Sequence, residues 1–235
     1  MRIDVLTIFP EMYPGILGIS ILKRAQEAGV VRIAVKNLRD YTHDKRRTVD
    51  DRPFGGGPGM VMKPEPIFAA VEDAEAARHT ASRRRCRVVA MAPGGAPLTQ
   101  ALAQELSALS HLVIVCGHYE GMDARIREGL IEQEISIGDY VVTGGELPSM
   151  VLIDCVVRLL PGALGHEQAT VEESFSQGLL EYPQYTRPMT FRGMDVPAVL
   201  RSGHHTQIAQ WRRRKALEQT ATHRPDLLRK PHKEP

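Results

Sequence analysis

The 235-residue chain holds only three cysteines, Cys86, Cys116 and Cys155, and no two of them share a paired spacing. That pattern does not read as a disulfide framework. Cys86 and Cys116 sit in apolar strand contexts, so the cysteines read as small hydrophobes in a reducing compartment. No Cys-x-x-Cys or His-Glu-x-x-His occurs. His118-Tyr-Glu120 and Gly203-His204-His205 offer donor pairs without a third ligand at a familiar spacing, so no metal site is expected. His204 and His205 read instead as contacts to a polyanion or as a helix cap. No apolar run approaches membrane-spanning length. The N-terminus reads as a first buried strand rather than a signal peptide, because Asp4 interrupts its apolar run and Pro10 follows. A cytoplasmic protein with no membrane partner is the expectation.

What is present points to an α/β protein. Strand-like apolar runs at 3–8, 31–36, 86–91, 112–116 and 133–137 alternate with helical patterns near 18–28, 64–76, 98–108, 122–130 and 146–159. Such alternation predicts a mostly parallel sheet. Runs apolar at every position, as at Leu112–Val115, fit strands buried on both faces. After Pro161-Gly162 the character changes. Residues 165–180 are polar and aperiodic and read as a linker or mobile loop, and the remainder reads as helical. Ser202 is the expected N-cap of a helix through Ile208, Trp211 and Leu217, and a second short helix is expected at Asp226-Leu227-Leu228. Arg229 to Pro235 have nothing to bury and are expected to fray.

The net charge of +2 conceals an asymmetry. Glu181 to Pro235 carry eleven Lys+Arg against five Asp+Glu, while the preceding residues carry 19 against 23. A basic tail on a mildly acidic body suits a polyanionic partner. Trp211-Arg-Arg-Arg-Lys215 reads either as phosphate contact or as a solvated face anchored by Trp211.

Three glycine-bearing stretches follow strands: Met91-Ala-Pro-Gly-Gly-Ala-Pro-Leu98, Cys116-Gly-His-Tyr-Glu-Gly121 and Ser136-Ile-Gly-Asp-Tyr-Val-Val-Thr-Gly-Gly145. Glycine between a strand and a helix lets backbone approach a ligand. If the three strands are parallel neighbours, the loops meet at one ligand site. The spacing is neither a dinucleotide fingerprint nor a P-loop, since no Lys-Ser/Thr follows the glycines. Asp50-Asp-Arg-Pro-Phe-Gly-Gly-Gly-Pro-Gly-Met60 is either a plain surface loop or a lid, and charge beside the hinge favours the lid. Arg158 at the end of a helix, and Glu172 and Glu173 in the polar stretch, carry no catalytic signal by pattern alone.

Together these motifs resemble the bacterial tRNA (guanine-N1)-methyltransferases of the SPOUT class. The matching stretches also include Ile8-Phe-Pro-Glu-Met12, Thr48 to Met60, Glu146-Leu-Pro148, Tyr185-Thr-Arg-Pro188 and Ser202-Gly-His-His205. The resemblance implies a SPOUT-type α/β domain over 1–164, with a parallel sheet and a C-terminal trefoil knot. A 165–180 linker and an all-helical tRNA-binding domain over 181–235 would follow. It implies S-adenosylmethionine as methyl donor, a homodimer with shared active sites, tRNA gripped by its anticodon branch, and no DNA partner. The product would be 1-methylguanosine just 3′ of the anticodon. The donor pocket would use Pro93 and Gly95, then Gly117, Tyr119, Glu120 and Gly121, then Ile137, Gly138, Asp139, Tyr140, Val141 and Val142, with Gly144 and Gly145. The tRNA would meet Asp50, Arg52, Gly55, Gly56, Gly57, Arg187, His204 and His205. Arg158 would face the target guanine and Glu173 would be the general base. The sequence departs from the family at two of these places: Glu173 stands where aspartate is usual, and His118 where arginine is common. The alternative is an RNA-binding member of the same fold with weak or lost catalysis.

Overall fold

The computed structural model describes residues 1–76, 86–165, 170 and 173–228. It divides into two compact units, Met1–Gly165 and His166–Pro235.

The first unit is built on five strands: β1 (Arg2–Thr7), β2 (Arg32–Asn37), β5 (Cys86–Pro97), β6 (His111–Cys116) and β7 (Gln133–Ser136). Their order is β2-β1-β6-β5-β7, and every neighbouring pair is parallel. All six residues of β6 are buried, because helices cover both faces of the sheet. Alternate side chains feed opposite cores, as the two-residue period of a strand requires. Ile3, Val5, Leu112 and Ile114 pack with helices α2 (Ser20–Glu27), α4 (Gln100–Ser107) and α6 (Glu146–Val157). Leu6, Val113 and Val115 pack with α3 (Pro64–Ala76) and α5 (Ala124–Gly129). A short helix, α1 (Pro14–Leu17), begins on a proline whose missing N–H costs nothing there. Thr99 caps α4 by accepting from the Leu102 amide, and Asp123 caps α5 by accepting from the Arg125 amide.

The strands and helices expected from periodicity are all present, with two differences of detail in this unit. β5 does not stop near Met91 but continues to Pro97. Its register against β7 slips, so that Met91 and Ala96 both face Ile135 and residues 92–95 bulge between them. Gly95 makes this possible: a Cβ there would lie 2.4 Å from the Glu134 carbonyl carbon and 2.5 Å from the Ile135 nitrogen. Second, the 50–60 stretch is flanked by strands that the sequence does not announce. β3 (Asp50–Asp51) and β4 (Val61–Met62) pair antiparallel, and the glycine-rich residues form the connecting loop.

The second unit is not all helical. Thr190–Phe191 (β8) and Met194–Asp195 (β9) form an antiparallel hairpin. Arg192 and Gly193 both have positive φ at its turn, the combination that matches strand twist in two-residue hairpins. The main helix, α7 (His205–His223), has His204 at its N-cap rather than Ser202. Ser202 ends the preceding 3-10 turn, Ala198–Arg201, and its Oγ accepts from the His204 amide at 3.1 Å. The expected helix at Asp226–Leu228 is one 3-10 turn, Pro225–Leu228. Trp211 is buried against Tyr185, ring centroids 6.3 Å apart. Thr220 is fully buried, donates to the Ala216 carbonyl and accepts from the Leu180 amide at 2.9 Å, which ties the 173–180 stretch to α7. The expectation for Arg229 to Pro235, and that for residues 166–169, 171 and 172 of the linker, lie outside the described residues.

Candidate functional site

Because β6, β5 and β7 are adjacent and parallel, their three glycine-bearing ends lie on one edge of the sheet. They enclose a cleft of about 320 Å³. Pro93 lines it from the β5 bulge. Gly117, Tyr119, Glu120 and Gly121 line it from the loop after β6. Ile137, Gly138, Tyr140, Val141, Val142, Gly144 and Gly145 line it from the loop after β7. Two residues of the expected set stand apart. Gly95 packs against the β7 backbone, and Asp139 is exposed outside the lining.

Met91, Ala92, Ser136 and Thr143 also line the cleft from the stretches expected to converge, though no role is expected of them singly; sequence reasoning does not find Met122, Arg127, Ile135 and Pro148, and it does not select His118 for a role there. Most belong to strand ends or a helix face, where a core residue has the same signature. Arg127 is held by Glu134 at 2.9 Å, a pairing between α5 and β7 that no local pattern reveals.

The loops are locked together through backbone. The Gly145 amide donates to the Gly117 carbonyl at 2.7 Å, and Gly144 bridges to His118. A Cβ on Gly145 would lie 2.8 Å from the Cys116 Cα, so only glycine allows this approach. Tyr119 takes a left-handed φ of 61° and Gly121 follows at 133°. Tyr140 and Val141 project outward at 57% and 82% exposure.

Beneath the cleft lies a polar network in an otherwise apolar interior. Glu146 is 2% exposed and accepts from Thr7 Oγ1 at 2.7 Å. Ser149 Oγ donates to the Glu146 carbonyl and meets the Tyr13 hydroxyl, each at 2.7 Å. Burial pushes the Tyr13 phenol above its ordinary range and the Cys116 thiol up to about 12. Cys116 is therefore an inert core thiol rather than a nucleophile. Cys86 and Cys155 are half-buried and form no disulfide.

The 50–60 hairpin docks on the loop after β6. The Met62 amide donates to the Gly121 carbonyl, and the Glu120 amide donates to the Met60 carbonyl. Asp50 is half-buried at its base, whereas Arg52, Gly55, Gly56 and Gly57 are exposed and Phe54 is wholly so. Arg158 follows α6 as its C-cap, at the end of the helix away from the cleft. The remaining expected residues belong to the second unit. Arg187, His204 and His205 are exposed there. Glu173 lines a small cleft of about 170 Å³ with Leu180, Tyr182 and Arg212. The Arg212 guanidinium lies 4.8 Å from the Tyr182 ring centroid. Among the described residues no group of three or more His, Cys, Asp or Glu is placed to hold a metal ion, and no helix is long and apolar enough to cross a membrane.

The fold and cleft define an α/β protein of the kind that takes a ligand at the carboxyl edge of a parallel sheet. The family model described as tRNA (Guanine-1)-methyltransferase TrmD matches residues 1–230. A protein of Moorella thermoacetica named tRNA (guanine-N(1)-)-methyltransferase is 57% identical over 232 residues, covering 97% of this chain and 90% of that protein. Proteins of the same name from Bacillus cereus strain B4264 and Staphylococcus carnosus are 58% and 55% identical over 228 and 230 residues. These alignments cover 97% and 98% of this chain, and 92% and 91% of the relatives. The chain belongs to the tRNA (guanine-1)-methyltransferase family.

Proposed function

We propose that this protein transfers a methyl group from S-adenosylmethionine to N1 of the guanine immediately 3′ of the anticodon in tRNA, giving 1-methylguanosine. The observation that carries the reading is the meeting of three glycine-bearing loops in one cleft, in a chain whose relatives are named for guanine-N1 methylation of tRNA. The cleft residues fit the donor. Ile137, Val142 and Pro148 offer apolar surface for a flat base, and the turns at Tyr119–Gly121 and Gly144–Gly145 bring backbone without bulky side chains to the cleft wall. Bound there, adenosylmethionine supplies an electrophilic methyl group. Pro93, Gly117, Glu120, Gly121, Gly138, Tyr140 and Val141 complete the holding set. Gly95 contributes by letting β5 and β7 close, and Asp139 flanks the mouth.

N1 of guanine carries a proton at neutral pH. Glu173 takes that proton as a general base. Arg158 stabilises the negative charge that develops towards O6. Within one chain, α6 runs twelve residues from the cleft to Arg158, or about 18 Å at helical rise. That separation supports a homodimer in which one subunit supplies Arg158 to its partner's cleft. Leu147 and Val151, 50% and 43% exposed on α6, supply apolar surface for such an interface. The contact of residues 144–145 with the loop after β6 supports a trefoil-knotted path for this segment. Asp50, Arg52 and Gly55–Gly57 cover the flipped nucleotide, while Arg187, His204, His205 and the basic C-terminal unit hold the anticodon branch in the cytoplasm.

The test is methyl transfer to a tRNA carrying guanine 3′ of the anticodon, followed by digestion and identification of the modified nucleoside. The expected product is 1-methylguanosine at that position. A ribose-methylated nucleoside, or no methylation, would overturn the reading.

A further inference from the structure

The β8–β9 hairpin of the second unit has two unlike faces. Its register pairs Thr190 with Asp195 and Phe191 with Met194, and the Val196 amide extends the ladder by donating to the Met189 carbonyl. Side chains alternate along a strand, so Thr190 and Asp195 fall on one face and Met189, Phe191 and Met194 on the other. The first face is satisfied within itself, since Thr190 Oγ1 donates to Asp195 Oδ1 at 2.5 Å. The second face is uncovered: Met189, Phe191 and Met194 are 56%, 55% and 65% exposed. A cation stands at each end of it. The Arg192 guanidinium lies 5.3 Å from the Phe191 ring centroid, and Arg201 Nη1 reaches Met189 Sδ. Arg192 holds its place at a conformational cost, because its φ of 50° is left-handed and asparagine or glycine would sit there more easily. A charged side chain kept at a strained turn, over an exposed ring, marks a surface that meets a partner.

The chemistry of the face selects that partner. Phe191 and the two methionines offer a flat, polarisable apolar surface, and the arginines at its ends offer charge to anions. From Tyr185 to His205 the charged residues are Arg187, Arg192 and Arg201 against Asp195 alone, and Asp195 lies on the opposite face. An unpaired nucleotide answers both features, with a flat base between two phosphates. We propose that the β8–β9 hairpin is a stacking platform for an unpaired base of the tRNA anticodon loop, with Phe191 against the base and Arg192 and Arg201 on the flanking phosphates. This rests on tRNA being the substrate. Stacking uses the face of a base and not its edges, so the platform holds the loop without selecting its sequence. A base-paired stem offers no free base face and does not occupy it.

The test is equilibrium binding of two RNAs, the unmodified tRNA and a fully paired RNA duplex, over a range of salt concentrations. Phe191→Ala should weaken tRNA binding about fivefold to a hundredfold, the usual worth of one base stacked on an aromatic ring, and leave duplex binding unchanged. It removes no charge, so the slope of log affinity against log salt should match wild type, whereas Arg192→Gln should lower that slope by about one. Phe191→Trp should restore wild-type affinity, and thermal unfolding of each variant shows that it remains folded. An unchanged tRNA affinity in Phe191→Ala, an equal loss for tRNA and duplex, a failed rescue by Phe191→Trp, or an Arg192→Gln slope equal to wild type overturns the platform and leaves tRNA methylation standing. A changed oligomeric mass of Phe191→Ala at unchanged tRNA affinity overturns it in favour of a contact between copies of the chain. Absence of tRNA binding by the wild type overturns the platform and the substrate reading together.

Discussion

Asp4 is wholly buried on β1, and replacing it by asparagine isolates the contribution of its charge. The carboxylate accepts from Arg2 at 2.6 and 2.9 Å, lies 2.6 Å from His111 Nε2, and has Lys36 Nζ 3.6 Å away. Lys36 in turn reaches Asp73 of α3 at 2.7 Å. Burial pushes the Asp4 carboxyl upward, but the hydrogen bonds from His111 and Arg2 and the nearby cations outweigh it and hold the group at about 2, against an ordinary 3.8. At about 1.4 kcal/mol per unit, that depression contributes on the order of 2 kcal/mol of stability to the folded chain. The contribution is complete above about pH 5, falls to roughly half by about pH 3 and is mostly lost by about pH 2 as the folded carboxylate gains its proton. Asp4→Asn imitates the protonated group without altering its size. Urea unfolding followed by far-UV circular dichroism should therefore show the variant about 2 kcal/mol less stable at pH 7. The difference should shrink steadily between pH 5 and pH 2. A gap below about 0.5 kcal/mol at pH 7, or one that does not narrow on acidification, would refute the argument that the charge is stabilised by this network.

Three further outcomes are expected. Gly95→Ala drives a Cβ into the β7 backbone at 2.4 to 2.7 Å and should cost about 1–3 kcal/mol, whereas Gly94→Ala, with nothing within 4 Å, should be close to neutral. Thermal unfolding of the two variants side by side checks this, and equal melting temperatures would contradict the packing argument. Glu173→Gln should reduce single-turnover methylation by about a hundredfold to ten-thousandfold, the usual reach of general-base help. A near-normal rate removes Glu173 from that role. Arg158→Ala should depress chemistry more than adenosylmethionine affinity, and equal loss of both would mean a structural part only.

Legibility in the sequence followed the range of each interaction. β6 and α3 were readable because their periodicity reports burial directly, and every residue of β6 is indeed buried. The convergence of the three loops was readable only conditionally, since it depends on strand order, and β6 enters the sheet between β1 and β5 out of chain order. The β5 bulge was not readable. Pro93, Gly94 and Gly95 signal a loop locally, and only pairing with Ile135 on both sides of the bulge restores a strand. The 190–195 hairpin is not legible because two-residue strands have no period to detect, and of its turn residues only Gly193 is a turn signal, since arginine rarely takes the positive φ that Arg192 shows. Glu146 shows the same limit at the site. An acidic residue in the first turn of a helix has a sufficient local reason to be there, because it offsets the helix dipole. Its burial beside Thr7 and His118 arises from residues 139 and 28 positions away, which no window along the chain can bring together. Glycine is the exception that carries long-range information in a local symbol. Gly144 and Gly145 mark places where another backbone or side chain occupies the space of a Cβ, and here those neighbours are His118, Glu146 and Cys116. A cluster of such glycines after a strand therefore locates a meeting of chain segments before any partner is known, while the charged groups that act there remain hidden until the fold is seen.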